Sequence, residues 1–316
     1  MNIYRPPFFQ NKRILVLLLV FLLNTCYFSY AQIKNGSIEI ITTDIENFWR
    51  AYDIAAPNFD AQVFQKNYFD IGSPALKDFI KYSIKNADEL SKTILKRPKY
   101  YASIRESVLK INSLKPNIEK VYLNFQKIYP EIYFPKLYFV IGRMSSGGTG
   151  SKNGLIIGAE MYGLTNNTPK DELNDWLKSV LKSVDEIPHI VAHELVHEFQ
   201  TYDGGSLLAA SIKEGGADYI AELISGKHIN QNVHNYANPK ERELWLEFKK
   251  IMLKNDYTGW LYSQAGDRPQ DLGYWMGYKI TKSYFDNSKD KKQAMQDFLN
   301  IKDFEKFLVD SRYETF

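Results

Sequence analysis

Thiol chemistry is almost absent from this chain, which has one cysteine, Cys26, in 316 residues. A lone thiol cannot close an intramolecular disulfide, so no disulfide framework holds the fold. Histidine is nearly as scarce, with five in all. Charge of one sign is lacking too: 40 Lys and Arg face 37 Asp and Glu, which is no basis for a nucleic-acid surface. No internal period appears, which excludes solenoids and propellers. Long apolar runs are confined to Ile14–Leu23, close to the N-terminus.

That run follows the basic residues Arg5, Lys12 and Arg13 and precedes Ser29-Tyr-Ala31, whose small residues suit a signal peptidase. The expectation is a signal peptide over 1–31, cleaved before Gln32, and an exported chain in the periplasm or outside the cell. The run is short for a membrane span. Leu23-Asn-Thr-Cys26 loosely resembles a lipobox, although Thr before the cysteine fits poorly, so lipidation at Cys26 ranks below plain secretion. Contact with a membrane is expected only if this segment is retained or Cys26 is lipidated. Cleavage at Ala31 would remove three basic residues, leaving 40 − 3 = 37 against 37 acidic ones.

What the sequence does have is apolar and aromatic mass. Hydrophobic residues make up 44% and aromatic ones 15%, with 22 Tyr and 19 Phe, enough for a sizeable core. Helical periodicity dominates 32–130, over Thr43 to Tyr52, Phe59–Tyr68, Pro74–Leu95, Lys99–Ser113 and Pro116–Tyr129. Pro98, Pro116 and Pro130 punctuate these segments. Strand signals then appear at Leu137–Ile141 and Gly154–Gly158. The glycine-rich stretch Gly142–Ser151 lacks the Gly-Lys-Ser/Thr ending of a phosphate loop and reads as a connection. Helices follow over Lys170–Ser183, Ile187–Gln200, Leu207–Ser225, Leu272–Phe285 and the tail from Lys289. The fold class is α+β, mostly helical, with a helical N-terminal region over 32–130 and the site-bearing region over 131–316, packed as one unit.

Chemistry concentrates in Ile187–Gln200. Ile187, Val191, Ala192, Leu195, Val196 and Phe199 make that helix apolar around most of its circumference. His193, Glu194 and His197 occupy the remaining stripe, and the two histidines, four apart, lie one turn apart on the same face. Ionisable groups on a buried helix need a partner, and His-Glu-x-x-His on a helix is a zinc signature with the glutamate as general base. Chance alone produces such a pentapeptide from time to time, and satisfied core histidines are the bland alternative. His189 shares the face, but three successive turns span roughly 12 Å, too far for one ion, so it reads as a residue that supports the ligands from behind or as a structural one. Glu214, on a later helix, is free to complete the site, with Asp218 on the same side. Gly215 and Gly216 inside a helix cost about 1 kcal/mol each relative to Ala, and close approach to the His193–His197 helix is the expected reason.

His193-Glu-Leu-Val-His197 followed by Glu214-Gly-Gly-Ala-Asp218 resembles the gluzincins, the thermolysin-like zinc peptidases. The Phe48–Asp53, Ile141–Thr149 and Gly273–Tyr278 stretches resemble a group of predicted zinc-dependent proteases of secreted bacterial proteins and, loosely, gliding-motility lipoproteins that share a zincin-like shape. The first resemblance implies a zincin-like catalytic core: a small sheet plus the active-site helix, and one zinc ion on His193, His197 and Glu214. It further implies that Asp218 orients a ligand histidine. The expected activity is a zinc metallopeptidase acting on a peptide or protein substrate. Glu194 would be its base, and Tyr274 or Tyr278 the donor that stabilises developing negative charge. The rival readings are a non-catalytic surface module lipidated at Cys26, and a zinc hydrolase of a non-peptide amide or ester.

Overall fold

The computed structural model describes residues 37–262 and 268–313; the signal-peptide and Cys26 readings lie outside them. No helix among the described residues is long and apolar enough to cross a membrane. The architecture is α+β and mostly helical, around one small mixed sheet.

The N-terminal helices are α1 (Thr43–Ala55), α2 (Ala61–Phe64), α3 (Pro74–Phe79), α4 (Ala87–Lys96), α5 (Pro98–Leu109) and α6 (Ile111–Ile128). The periodic stretch Pro74–Leu95 is not one helix. A π turn over Ile80–Ile84 ends at Lys85, whose φ is +79°, and the Asn86 side chain caps α4 by accepting from Glu89 N at 2.9 Å. Conversely, α6 runs through Pro116 rather than starting there. The long helix expected over Lys170–Ser183 shrinks to α7 (Asp175–Val180), because Asn174 caps it from Leu177 N.

The sheet has strand order β1-β2-β4-β3. Strands β1 (Ile40–Ile41), β2 (Leu137–Val140) and β4 (Gly154–Gly158) run parallel. Both β2 and β4 are buried along their whole length, which explains their continuous apolar sequence. The glycine-rich connection contains a strand that the sequence did not announce. This is β3 (Gly148–Ser151), antiparallel to β4 and at the sheet edge. Its lead-in is clamped by Glu160, a fully buried carboxylate that accepts from Gly142 N at 2.8 Å and Met144 N at 3.1 Å. Tyr68 and Tyr101 donate to the carbonyls of Ile141 and Gly142, both at 2.8 Å, and Tyr100 donates to Glu160 O at 2.6 Å.

Three helices complete the scaffold of the site: α8 (Ile187–His197), α9 (Leu207–Ser225) and, after α10 (Gln231–Ala237) and α11 (Glu241–Lys249), α12 (Leu272–Asn287). Pro188 sits in the first turn of α8, Ser206 caps α9 by accepting from Ala209 N, and Gly226 ends α9 with φ +87°. The tail forms α13 (Lys291–Leu299) and α14 (Phe304–Ser311).

The glycines of α9 serve a different neighbour from the one expected. A Cβ on Gly215 would stand 2.0 Å from Tyr274 O, and one on Gly216 would meet Phe298 at 2.2 Å. They admit α12 and α13, not α8. Reciprocally, a Cβ on Gly277 would lie 1.7 Å from Ser211 O. The α9–α12 crossing is thus a backbone-to-backbone contact made possible from both sides.

Candidate metal centre

Helix α8 is buried apart from His189, Glu194 and His197, which are half-buried: Ile187, Ile190, Val191, Ala192, Leu195 and Val196 all pack inward, and His193 is buried with them. Helix α9 lies against it, bringing Glu214 opposite the histidines. The His193 and His197 Nε2 atoms are 3.0 Å apart, and Glu214 Oε2 stands 3.6 Å and 3.3 Å from them. Tetrahedral ligands with bonds near 2.0–2.1 Å sit about 3.3 Å from one another. The triangle already has that size, so the donor set fits a zinc-like ion.

The remaining ring nitrogens fix which atoms face the centre. His193 Nδ1 lies 2.7 Å from Asp218 Oδ1, and Asn230 Nδ2 donates to the other Asp218 oxygen at 2.5 Å. His197 Nδ1 lies 2.6 Å from Gln200 Oε1, while the Gln200 amide nitrogen donates to Lys213 O at 3.0 Å and Tyr202 Oη at 3.1 Å. Both outer acceptors demand an Nδ1–H tautomer, leaving both Nε2 lone pairs turned inward. Glu214 Oε1 accepts from the Tyr262 hydroxyl at 3.1 Å.

Burial disfavours charge at this cluster, but the pairing outweighs it. Burial works against protonating His193, yet hydrogen bonds with Asp218 and Glu214 raise its proton affinity well above the usual imidazole range. Burial likewise works against ionising Glu214, yet hydrogen bonds from His193 and His197 hold its carboxyl well below the usual range.

A cleft of about 330 Å³ opens over the triad, lined by Gly148, Thr149 and Gly150 of β3 with Glu194, Lys213 and Tyr274. The Glu194 carboxylate lies so close to β3 that a Cβ on Gly148 would come within 2.6 Å of it. The Tyr274 ring lies nearly parallel to that of His193, 19° between planes and 6.1 Å between centroids.

The structure therefore brings together His193, His197, Glu214, Glu194, Asp218 and Tyr274. Tyr278 is not among them: its hydroxyl is committed to Glu222 at 2.5 Å, and its ring packs on His228 and His234. His189 stays apart, 2.8 Å from Ser225 Oγ. Gln200, Asn230 and Tyr262 escaped the sequence reading. Gln200, three residues beyond His197, carried the one local signal, since i,i+3 residues meet on a helical turn.

Comparison with known families corrects the expected lineage. The family that matches is described as Gliding motility protein GldB, a lipoprotein family, and the match covers residues 31–315. No curated protein and no solved structure matches the chain. The gluzincin and secreted-protease resemblance is thus overturned, and with it the description of the chain as a protease. The physical reason is that His-Glu-x-x-His with a later glutamate specifies a ligand set. Any lineage that needs two imidazoles and one carboxylate on adjoining helices can carry it.

Proposed function

The chain belongs to the gliding motility protein GldB family, and on that premise we propose that it acts in gliding as an exported, membrane-associated lipoprotein. Its body is non-catalytic and is organised around one bound divalent metal, zinc by the donor set. The observation that carries this reading is the ligand triangle, whose two imidazoles are already locked in the tautomer that a metal requires. A metal there ties α8 to α9, giving the body a stable surface for partners in the envelope. Cys26 is the anchoring residue. Family membership gives the weak lipobox a weight that its sequence alone does not have.

The test is elemental analysis of the full chain extracted from membranes and dialysed against trace zinc. One equivalent is expected in the wild type and none in His193→Ala/His197→Ala. Absence of metal from the wild type sinks the metal centre. Cys26→Ser is expected to move the chain from the membrane to the soluble fraction.

A second reading, hydrolysis of a non-peptide amide or ester, is favoured by Glu194 alone. Its carboxylate faces the cleft and makes no hydrogen bond among the described residues, and a purely structural metal has no use for it. Turnover of activated esters by the zinc-loaded chain, lost in Glu194→Gln with zinc retained, would move the assignment to this reading.

A further inference from the structure

Tyr262 is half exposed, yet the chain is bent to put its hydroxyl in one place. Its φ is +58°, in a region that costs a non-glycine residue roughly 1 kcal/mol or more. Asp271, itself at φ +67°, offsets that cost through Oδ1, which accepts from Tyr262 N at 2.8 Å. The flanking backbone is pinned as well. Gly273 N donates to Trp260 O at 2.7 Å, and Trp260 and Leu261 are buried. A Cβ on Gly273 would strike Leu261 at 2.7 Å, so the start of α12 closes directly onto this segment. Two unfavourable backbone conformations in contact through one hydrogen bond call for a purpose, and among the described residues one polar contact of the Tyr262 side chain supplies it: the hydroxyl donates to Glu214 Oε1 at 3.1 Å.

The two oxygens of Glu214 thereby have separate duties. Oε2 faces the imidazoles at 3.3 Å and 3.6 Å, and Oε1 is held by Tyr262. We infer that Tyr262 is a positioning residue for the metal centre, set in place by Asp271, and that it makes Glu214 a one-oxygen ligand by occupying the other oxygen. This rests on the metal centre proposed above. It adds a fourth orienting contact to those of Asp218, Asn230 and Gln200, from a segment some fifty residues beyond the ligands. The consequence concerns selectivity. A carboxylate confined to one oxygen suits a four-coordinate zinc-like site, whereas one free to chelate favours ions with higher coordination numbers.

The test uses the full chain with cobalt(II) as a visible probe and a chromophoric chelator in competition. Tyr262→Phe is expected to bind cobalt about ten-fold more weakly, the scale of lost orienting contacts at metal sites. Its visible absorption should also weaken, as expected when a four-coordinate ion gains a fifth ligand atom. A merely structural role would not move that spectrum, and the melting temperature of the metal-free chain should stay as in the wild type. Asp271→Ala should weaken binding in the same direction. The double variant should be no weaker than Tyr262→Phe alone, because Asp271 acts through that hydroxyl. A wild-type spectrum and affinity in Tyr262→Phe overturn the inference while leaving the metal centre intact. Failure of the wild type to bind cobalt or zinc overturns both.

Discussion

Gly277→Ala separates two opposed effects by sign. Gly277 lies inside α12, where alanine alone would stabilise the helix by about 1 kcal/mol. The tertiary contact argues the other way. The added Cβ would stand 1.7 Å from Ser211 O, 2.3 Å from Ser211 C and 2.9 Å from Ile212 N, all backbone of α9. No rotamer change relieves a clash with backbone, so the helices must part by about 1.5 Å to restore ordinary van der Waals separation. Overpacking of this kind costs about 3 kcal/mol at the upper end of its usual range. After the propensity gain the net loss is roughly 2 kcal/mol, a fall in melting temperature of about 3 °C for a chain of this size. The same displacement moves Glu214, on α9, by more than the few tenths of an ångström that a metal site tolerates, so zinc affinity should fall with stability. The assay is thermal unfolding of the metal-free chain followed by zinc titration. A variant as stable as the wild type, or more so, would refute the close approach of α9 and α12.

Three further outcomes are expected. Asp218→Asn should weaken zinc binding about 10- to 100-fold in chelator competition, since the acceptor on His193 Nδ1 is lost or inverted. Zinc at a hundred times its Kd should stabilise the chain by about 2.7 kcal/mol, reversed by chelator and absent in His193→Ala/His197→Ala. Burial pushes the Glu160 carboxyl up to about 7 against 4.5 when free, with the Gly142 and Met144 amides opposing it. The folded chain therefore keeps a proton that the unfolded chain releases. Stability falls as pH rises from about 4.5 to about 7, by on the order of 3 kcal/mol, and is flat above. Urea unfolding should show that slope in the wild type and lose it in Glu160→Gln; an unchanged slope in the variant would exclude Glu160 as its source.

The parts of the site that share a helix were legible in the sequence. Four-residue spacing put His193 beside His197 and set Glu214 and Asp218 on one side of a second helix, and geometry needs nothing more. Tyr262 and Asn230 were not legible, because their hydrogen-bonding reach depends on how distant segments fold back. Strand β3 escaped because Gly148-Thr-Gly-Ser has little intrinsic strand preference; pairing with β4 and the grip of Glu160 create it. Gly215 and Gly216 announced a close approach but not its direction, since a helix this apolar presents more than one face for packing. The lineage was misread for a separate reason. A ligand set reports the ion it suits, and many scaffolds can supply one.

The clamp on the β3 lead-in has a consequence for anyone who would dissect the chain. Tyr68, Tyr100 and Tyr101 come from the N-terminal helices, while the backbone they hold leads to the rim of the cleft. β1 likewise comes from the first few described residues and is hydrogen-bonded to β2. A cut near residue 130 would strip a strand from the sheet and leave buried carbonyls with no donor. A lesion in Tyr68, Tyr100 or Tyr101 should register at the rim of the cleft.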